Sequence, residues 1–247
     1  MNPLNVNSSY YEVMRHYLVI DGKSTKDFGV YLSGDGTFKA PEKNVEEFTI
    51  PGRNGTFHYS VPDTYKNVKV PYDCFIFKDF KRNVAAFRSF LLSRNGYVRI
   101  EDTHHPDEFR MGIYHEEFAP EVFVDLTAAQ FTLNFDCKPA RWLKSGRRPI
   151  TLTGSKTIVN QTNFTAKPLI KVYGSSGSVT ISGVKISLSD VSPSAEIDSE
   201  IMETIPSSLN SKTVLDNGEF PVLKPGENSV SFTGFSKIEI TPRWWIL

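Results

Sequence analysis

From Gln130 to Lys138 the chain alternates strictly: Phe131, Leu133, Phe135 and Cys137 are apolar, while Gln130, Thr132, Asn134, Asp136 and Lys138 are polar. A period of two sends one set to a core and the other to water, so this stretch predicts a strand with one buried face. Cys137 then reads as a small buried hydrophobe and not as a reactive thiol. Shorter strand signals surround it. Tyr17-Leu18-Val19-Ile20 breaks at Asp21-Gly22, a dipeptide suited to a tight hairpin turn. Phe48-Thr49-Ile50 and Thr56-Phe57-His58-Tyr59 flank Pro51-Gly52-Arg53-Asn54-Gly55. Gly and Asn accept the positive φ of a hairpin loop, so a hairpin is predicted here. Asn67–Phe77 predicts a further strand, interrupted near Pro71. Tyr97–Ile100 and Phe109–Tyr114 predict another hairpin around a polar loop.

One segment has helical period. Phe80, Val84, Phe87, Phe90 and Leu91 form a single apolar stripe, with Lys81, Arg82, Arg88 and Ser89 elsewhere, which predicts one helix over about 80–94. Asp79 is its expected N-cap and Asn95-Gly96 its expected stop. A stripe this narrow suits packing on one face of a sheet. Lys144-Ser145-Gly146-Arg147-Arg148-Pro149 is polar and turn-rich, and reads as a domain boundary. Beyond it only short strands recur, at Pro168–Tyr173, Ser178–Ser182, Val184–Leu188, Glu196–Asp198, Asn228–Phe232 and Lys237–Thr241. The expected fold is therefore mainly β: an α+β N-terminal domain over 1–145 with one helix, then a β-sandwich over 146–247.

Composition narrows the function. The 247 residues carry 28 Lys and Arg against 28 Asp and Glu, so the basic excess of a dedicated nucleic-acid binder is missing. A balanced charge also permits close association of identical copies. No apolar run approaches about 20 residues and no signal peptide is visible, so neither a membrane span nor secretion is expected. Two cysteines, Cys74 and Cys137, make no disulfide framework and fit synthesis in a reducing cytosol.

Candidate chemistry is sparse. His104 and His105 are adjacent, so in a strand or turn they point apart, and Pro106 disfavours the helix on which two histidines converge on a metal. A solvated hairpin tip is expected there. Gly174-Ser175-Ser176-Gly177 lacks the Gly-x-Ser-x-Gly elbow of a serine hydrolase and reads as a flexible loop. Asp198 and Glu200 share a face if extended, which alone is a surface pattern. No catalytic, metal or cofactor residues are assigned, and no enzyme is expected. Lys138, Arg141, Lys144, Arg147 and Arg148 with Trp142 could touch a nucleic-acid backbone, but read better as a solvated linker whose Trp packs at the domain junction. Near the C-terminus, Trp244 and Trp245 face opposite sides of an extended strand. One can serve the core, leaving the other for a carbohydrate, a partner protein or the neighbouring domain.

Several stretches, in order and spacing, resemble the distal tail proteins of phages with long, flexible, non-contractile tails. They are Ile20 to Val30 (IDGKSTKDFGV), Val45 to Gly55 (VEEFTIPGRNG), Phe135 to Leu143 (FDCKPARWL) and Pro168 to Gly174 (PLIKVYG), followed by Ile197 to Glu200 and Pro221 to Asn228. The resemblance implies an N-terminal domain that closes into a six-membered ring and a C-terminal domain of galectin-like type. Such rings sit at the virion's tail tip between the major tail tube protein and the tail-tip hub protein, after assembly in the bacterial cytoplasm. They anchor receptor-binding or side-fibre proteins, neighbour the tape-measure protein, and leave a lumen through which DNA passes. The family's ring-forming element is a hairpin that packs on a neighbouring copy. By position it lies at about 44–61 here, with Phe48, Ile50, Arg53, Asn54, Phe57 and Tyr59 as interface candidates. The first fifteen residues or so, with Tyr10 and Tyr11, precede the family's usual start and are expected to be an arm or a disordered tail. The alternative reading is a carbohydrate-binding module for host cell-surface polysaccharide, with Trp244 or Trp245 as its platform.

Overall fold

The computed structural model describes residues 15–34, 36–61, 64–77, 79–123, 128–206, 211–216 and 218–247. Residues 1–14, with Tyr10 and Tyr11, lie outside the described residues. The chain is mainly β, with one α-helix among the described residues. It divides into two compact units, Met1–Arg141 with Leu247, and Trp142–Ile246.

The first unit contains β1 (Leu18–Ile20), β2 (Lys23–Ser24), β3 (Val30–Leu32), β4 (Glu46–Thr49), β5 (Thr56–Tyr59), β6 (Val68–Phe77), α1 (Phe80–Leu92), β7 (Val98–Asp102), β8 (Glu108–Ile113), β9 (Glu121–Val122) and β10 (Ala128–Cys137). Its main sheet runs β2-β1-β7-β8-β10-β6-β3, with β9 added to β10. The β1–β2 turn holds Asp21 and Gly22 at φ 51° and 77°, the positive pair that a two-residue hairpin turn needs. The spine of the sheet is β6 against β10, in register from Val68↔Cys137 to Phe77↔Ala128. Alternation places Val70, Tyr72, Cys74 and Ile76 beside Phe135, Leu133, Phe131 and Ala129 on one buried face.

Pro71 does not interrupt β6. It pairs with Asn134, and β3 ends at Leu32↔Cys74, so no strand beside Pro71 on that edge asks for its missing N–H. Helix α1 lays Phe87, Phe90 and Leu91 on the sheet, where Phe87 meets Phe28, Phe118 and Phe131 at ring-centroid distances of 5.7–5.9 Å. Burying each of these side chains contributes about 2–3 kcal/mol. The helix stops at Leu92, two residues ahead of the expected 94, because the Ser93 hydroxyl donates to the Phe90 carbonyl and closes the last turn. Asp79 stands at the N-cap position, but its side chain caps nothing: it sits in the left-handed region at φ 48°, and only its carbonyl accepts, from Asn83 N–H.

The second unit begins within β11 (Arg141–Leu143) and continues with β12 (Ile150–Leu152), β13 (Lys156–Asn160), β14 (Leu169–Tyr173), β15 (Gly177–Ile181), β16 (Val184–Ser189), β17 (Ser194–Asp198), β18 (Glu203–Pro206), β19 (Lys212–Leu215), β20 (Gly226–Thr233), β21 (Lys237–Thr241) and β22 (Trp245–Ile246). Two five-stranded antiparallel sheets, β12-β21-β14-β17-β18 and β13-β20-β15-β16-β19, supply one shared core. Ile170, Val172, Ile197, Ile238 and Ile240 come from the first; Ile158, Val179, Ile181, Ile186 and Val230 come from the second. This is a two-layer sandwich. The sequence reading missed β11, β12, β13, β18 and β19, each of five residues or fewer, and in β18 and β19 no apolar side chain is fully buried.

Candidate interaction surface

Residues 42–61 and 64–66 pair with one another apart from the larger sheets. Asn44 N–H donates to the Thr64 carbonyl at 3.0 Å and Lys66 N–H to the Glu42 carbonyl at 2.9 Å, with Lys43 bridged to Tyr65. Above this base β4 and β5 pair from Glu46↔Tyr59 to Thr49↔Thr56, and they form a sheet of two strands hydrogen-bonded to no other strand among the described residues. The tip closes through Arg53 N–H to the Ile50 carbonyl, with Gly52 and Gly55 at φ 81° and 85°, where a side chain would be strained.

The register sorts this arm into two faces. Phe48 lies opposite Phe57 and Glu46 opposite Tyr59, so these four share one face, and Ile50 and Val61 continue its period. Glu47, Thr49, Thr56 and His58 make the other. Every residue of β4 and β5 is exposed, with Phe48, Phe57 and Tyr59 at 49%, 56% and 54%. A two-stranded ribbon is marginal by itself in water. One that also holds five large apolar side chains in water has the signature of a surface completed by another molecule. At the tip Ile50, Arg53, Asn54 and Phe57 border a recess of about 180 Å³. The interface candidates Phe48, Ile50, Arg53, Asn54, Phe57 and Tyr59 thus stand together on one exposed hairpin. Val61 and Glu46 belong to the same face and were missed; the period of two running past Tyr59 was the signal.

The other sequence candidates resolve into structure. Trp244 and Trp245 are both half-buried and packed against the sandwich core, which replaces the expected split of one inward and one outward. Arg243, at φ 60°, breaks the extended path before them. Trp245 stacks on Phe164 at 4.3 Å and donates its indole N–H to the Thr165 carbonyl, while Trp244 crowds Gly146, where an added Cβ would strike its backbone nitrogen. Asp198 and Glu200 are both held by Arg243. Its guanidinium donates to the two Asp198 oxygens at 2.6 and 2.7 Å and approaches Glu200 at 3.4 Å. This pairing holds the Asp198 carboxyl below its ordinary value.

The Gly174–Gly177 turn is pinned and not a free loop: Val191 N–H donates to the Ser175 carbonyl and Asp190 N–H to the Ser176 hydroxyl. His104 and His105 are half-buried and do not form a solvated tip. His104 stacks on His16 at 3.9 Å, and His105 Nδ1 lies 3.0 Å from Asp102. From the basic run, Arg141 pairs with Glu108 at 3.0 Å and donates to the Leu247 carbonyl, and Lys138 lies over Tyr97 at 5.2 Å. Cys74 and Cys137 are buried, and burial pushes the Cys137 thiol up to about 12 and Cys74 further. Among the described residues no group of three or more His, Cys, Asp or Glu is placed to hold a metal, and no helix is long and apolar enough to cross a membrane.

No protein-family model and no curated protein matches the sequence. Solved structures do share the fold. The chain is similar to the SPP1 Dit protein, described as a paradigm of the hub adsorption apparatus in phages infecting Gram-positive bacteria. The TM-score is 0.69 at 18% identity, over 94% of this chain and 99% of that one. It is also similar to a chain of the phage P2 baseplate in its activated conformation with Ca, with a TM-score of 0.50 at 10% identity, over 92% of this chain and 97% of that one. The same baseplate with Sr gives 0.50 at 10% identity, over 91% and 96%.

Proposed function

We propose that this chain is a non-catalytic virion protein, the distal tail subunit of a long-tailed phage, whose copies close into a six-membered ring between the tail tube and the tail-tip hub. The observation that carries the reading is the arm formed by β4 and β5, a ribbon whose apolar face lies in water in the single chain. A neighbour that covers Phe48, Phe57 and Tyr59 removes that cost, and a patch and a receptor surface on every copy give head-to-tail closure. Support comes from a fold shared over nearly the whole chain with a phage hub protein. In this reading the partners are other copies of the chain, the tail tube protein, the hub protein and the tape-measure protein, with DNA passing through the lumen. The sandwich, of galectin-like type, is the outer domain on which receptor-binding or side-fibre proteins dock. The protein resides at the tail tip and assembles in the host cytoplasm.

Light scattering on the purified full chain tests this. We expect a species of six times the 27.9 kDa chain mass at high concentration. Phe57→Asp combined with Tyr59→Asp should leave a folded monomer, because both side chains are exposed in the chain itself. A wild-type chain that stays monomeric at all concentrations, and is missing from assembled tails, would overturn the reading.

A further inference from the structure

Helix α1 turns a face outward that is as unpartnered as the arm. Lys81, Arg82 and Arg88 are exposed, and none makes an ion pair or hydrogen bond among the described residues. The helix contains no carboxylate. At 1.5 Å per residue, Lys81 and Arg88 stand about 10 Å apart along the axis. Ala85 and Ala86 are exposed between them, and Leu92 is 53% exposed at the end. Small residues flanked by cations and closed by a leucine form a track on which a ribbon can lie close.

The arm offers one unpaired carboxylate on its apolar face. Glu42 lies 3.5 Å from Lys66 and Glu47 3.5 Å from His58 within the arm, while Glu46, exposed and with no ion pair among the described residues, shares the face of Phe48, Phe57 and Tyr59. From Phe48 to Phe57 the only charge is Arg53, at the tip. We propose that the arm of one copy lies on helix α1 of the next, with Glu46 toward Arg82 and its neighbours and the apolar face over Ala85, Ala86 and Leu92. The proposal rests on the ring reading and names where the arm lands. A second copy is favoured over nucleic acid for two reasons. The total charge is balanced at 28 against 28, and apolar side chains accompany the cations on this face. Both surfaces are uncovered in the same chain, so each copy offers one and needs the other.

Charge reversal in the full chain, followed by sedimentation velocity at about 50 mM salt where surface charges are weakly screened, tests the contact. Glu46→Arg and Arg82→Glu should each raise the concentration needed for assembly by about tenfold, and the two together should return it to within about threefold of wild type. A disulfide between copies in the pair Glu46→Cys with Arg82→Cys is the expected positive, since the native thiols are buried. If Arg82→Glu assembles like wild type while Phe57→Asp does not, the arm lands elsewhere: the proposal falls and the ring reading stands. If wild type itself never assembles, both fall. If Arg82→Glu and Arg88→Glu leave assembly intact but abolish binding of a 30-base-pair duplex in fluorescence anisotropy, the face is a nucleic-acid contact and the proposal is overturned.

Discussion

Arg243 holds Asp198 through both carboxylate oxygens, and each side chain is only 13% exposed. Such a pair contributes little when intact but leaves an uncompensated charge when one member is removed. The folded Asp198 carboxyl is depressed by the Arg243 hydrogen bonds, so its stabilising contribution is present above the ordinary carboxylate value. It is lost as pH falls through the folded value. Stability, followed by tryptophan emission, should therefore fall below about pH 4, the range in which unfolded Asp takes up a proton. Asp198→Asn should cost about 3 kcal/mol at neutral pH and flatten that acid limb. An unchanged acid limb would assign it to other carboxylates. Gly146 makes a steric case of the same kind. Its carbonyl accepts from Arg243 N–H at 2.8 Å, and its missing side chain is what lets the Trp244 backbone pass. Gly146→Ala should cost about 2 kcal/mol in the same assay, because the obstruction is main chain and cannot turn aside. The sequence showed Asp198 and Glu200 as neighbours, but their shared partner lies 43–45 residues on, in a left-handed turn no periodicity announces.

At the scale of elements, period predicts burial without saying by which chain. Leu133 in β10 and Phe57 in β5 both sit on clean apolar alternations, yet one is buried completely and the other is more than half exposed. The strict alternation of β10, the stripe of α1 and the Pro-Gly/Asn-Gly turn of the arm were legible because each depends on local spacing. What was hidden depends on partners. β6 passes through Pro71 because its neighbour on that edge ends early, and the two tryptophans both pack inward because the backbone bends before them. The separateness of the arm was not in its periodicity, since its residues are those of an ordinary core hairpin; only the family resemblance implied that a hairpin at about 44–61 packs on a neighbouring copy. This contrast gives a measurable expectation. In dilute, monomeric protein, Leu133→Ala should cost about 3 kcal/mol by urea denaturation, the usual loss for a filled core position. Phe57→Ala should change stability by less than about 0.5 kcal/mol, as a surface substitution does. A large loss at Phe57 in the monomer would mean that the arm packs on its own chain.

For the whole molecule, the placement of two rare residue types separates the stabilities of the two units. Cys74 and Cys137 are both buried in the core of the first unit, and all three tryptophans, Trp142, Trp244 and Trp245, belong to the second. Burial raises both thiols, so neither reacts at neutral pH until the first unit opens. Thiol labelling then reports that unit, and tryptophan emission the other. Among the described residues the buried apolar side chains gather into one core in each unit. We therefore propose that they unfold as separate cooperative units. In a urea series, Asp198→Asn should lower the midpoint seen by emission and leave the midpoint seen by labelling where it was, and Leu133→Ala should do the reverse. If either substitution moves both midpoints equally, the chain unfolds as one cooperative body and the proposal falls. Separate midpoints would mean that each core opens without the other.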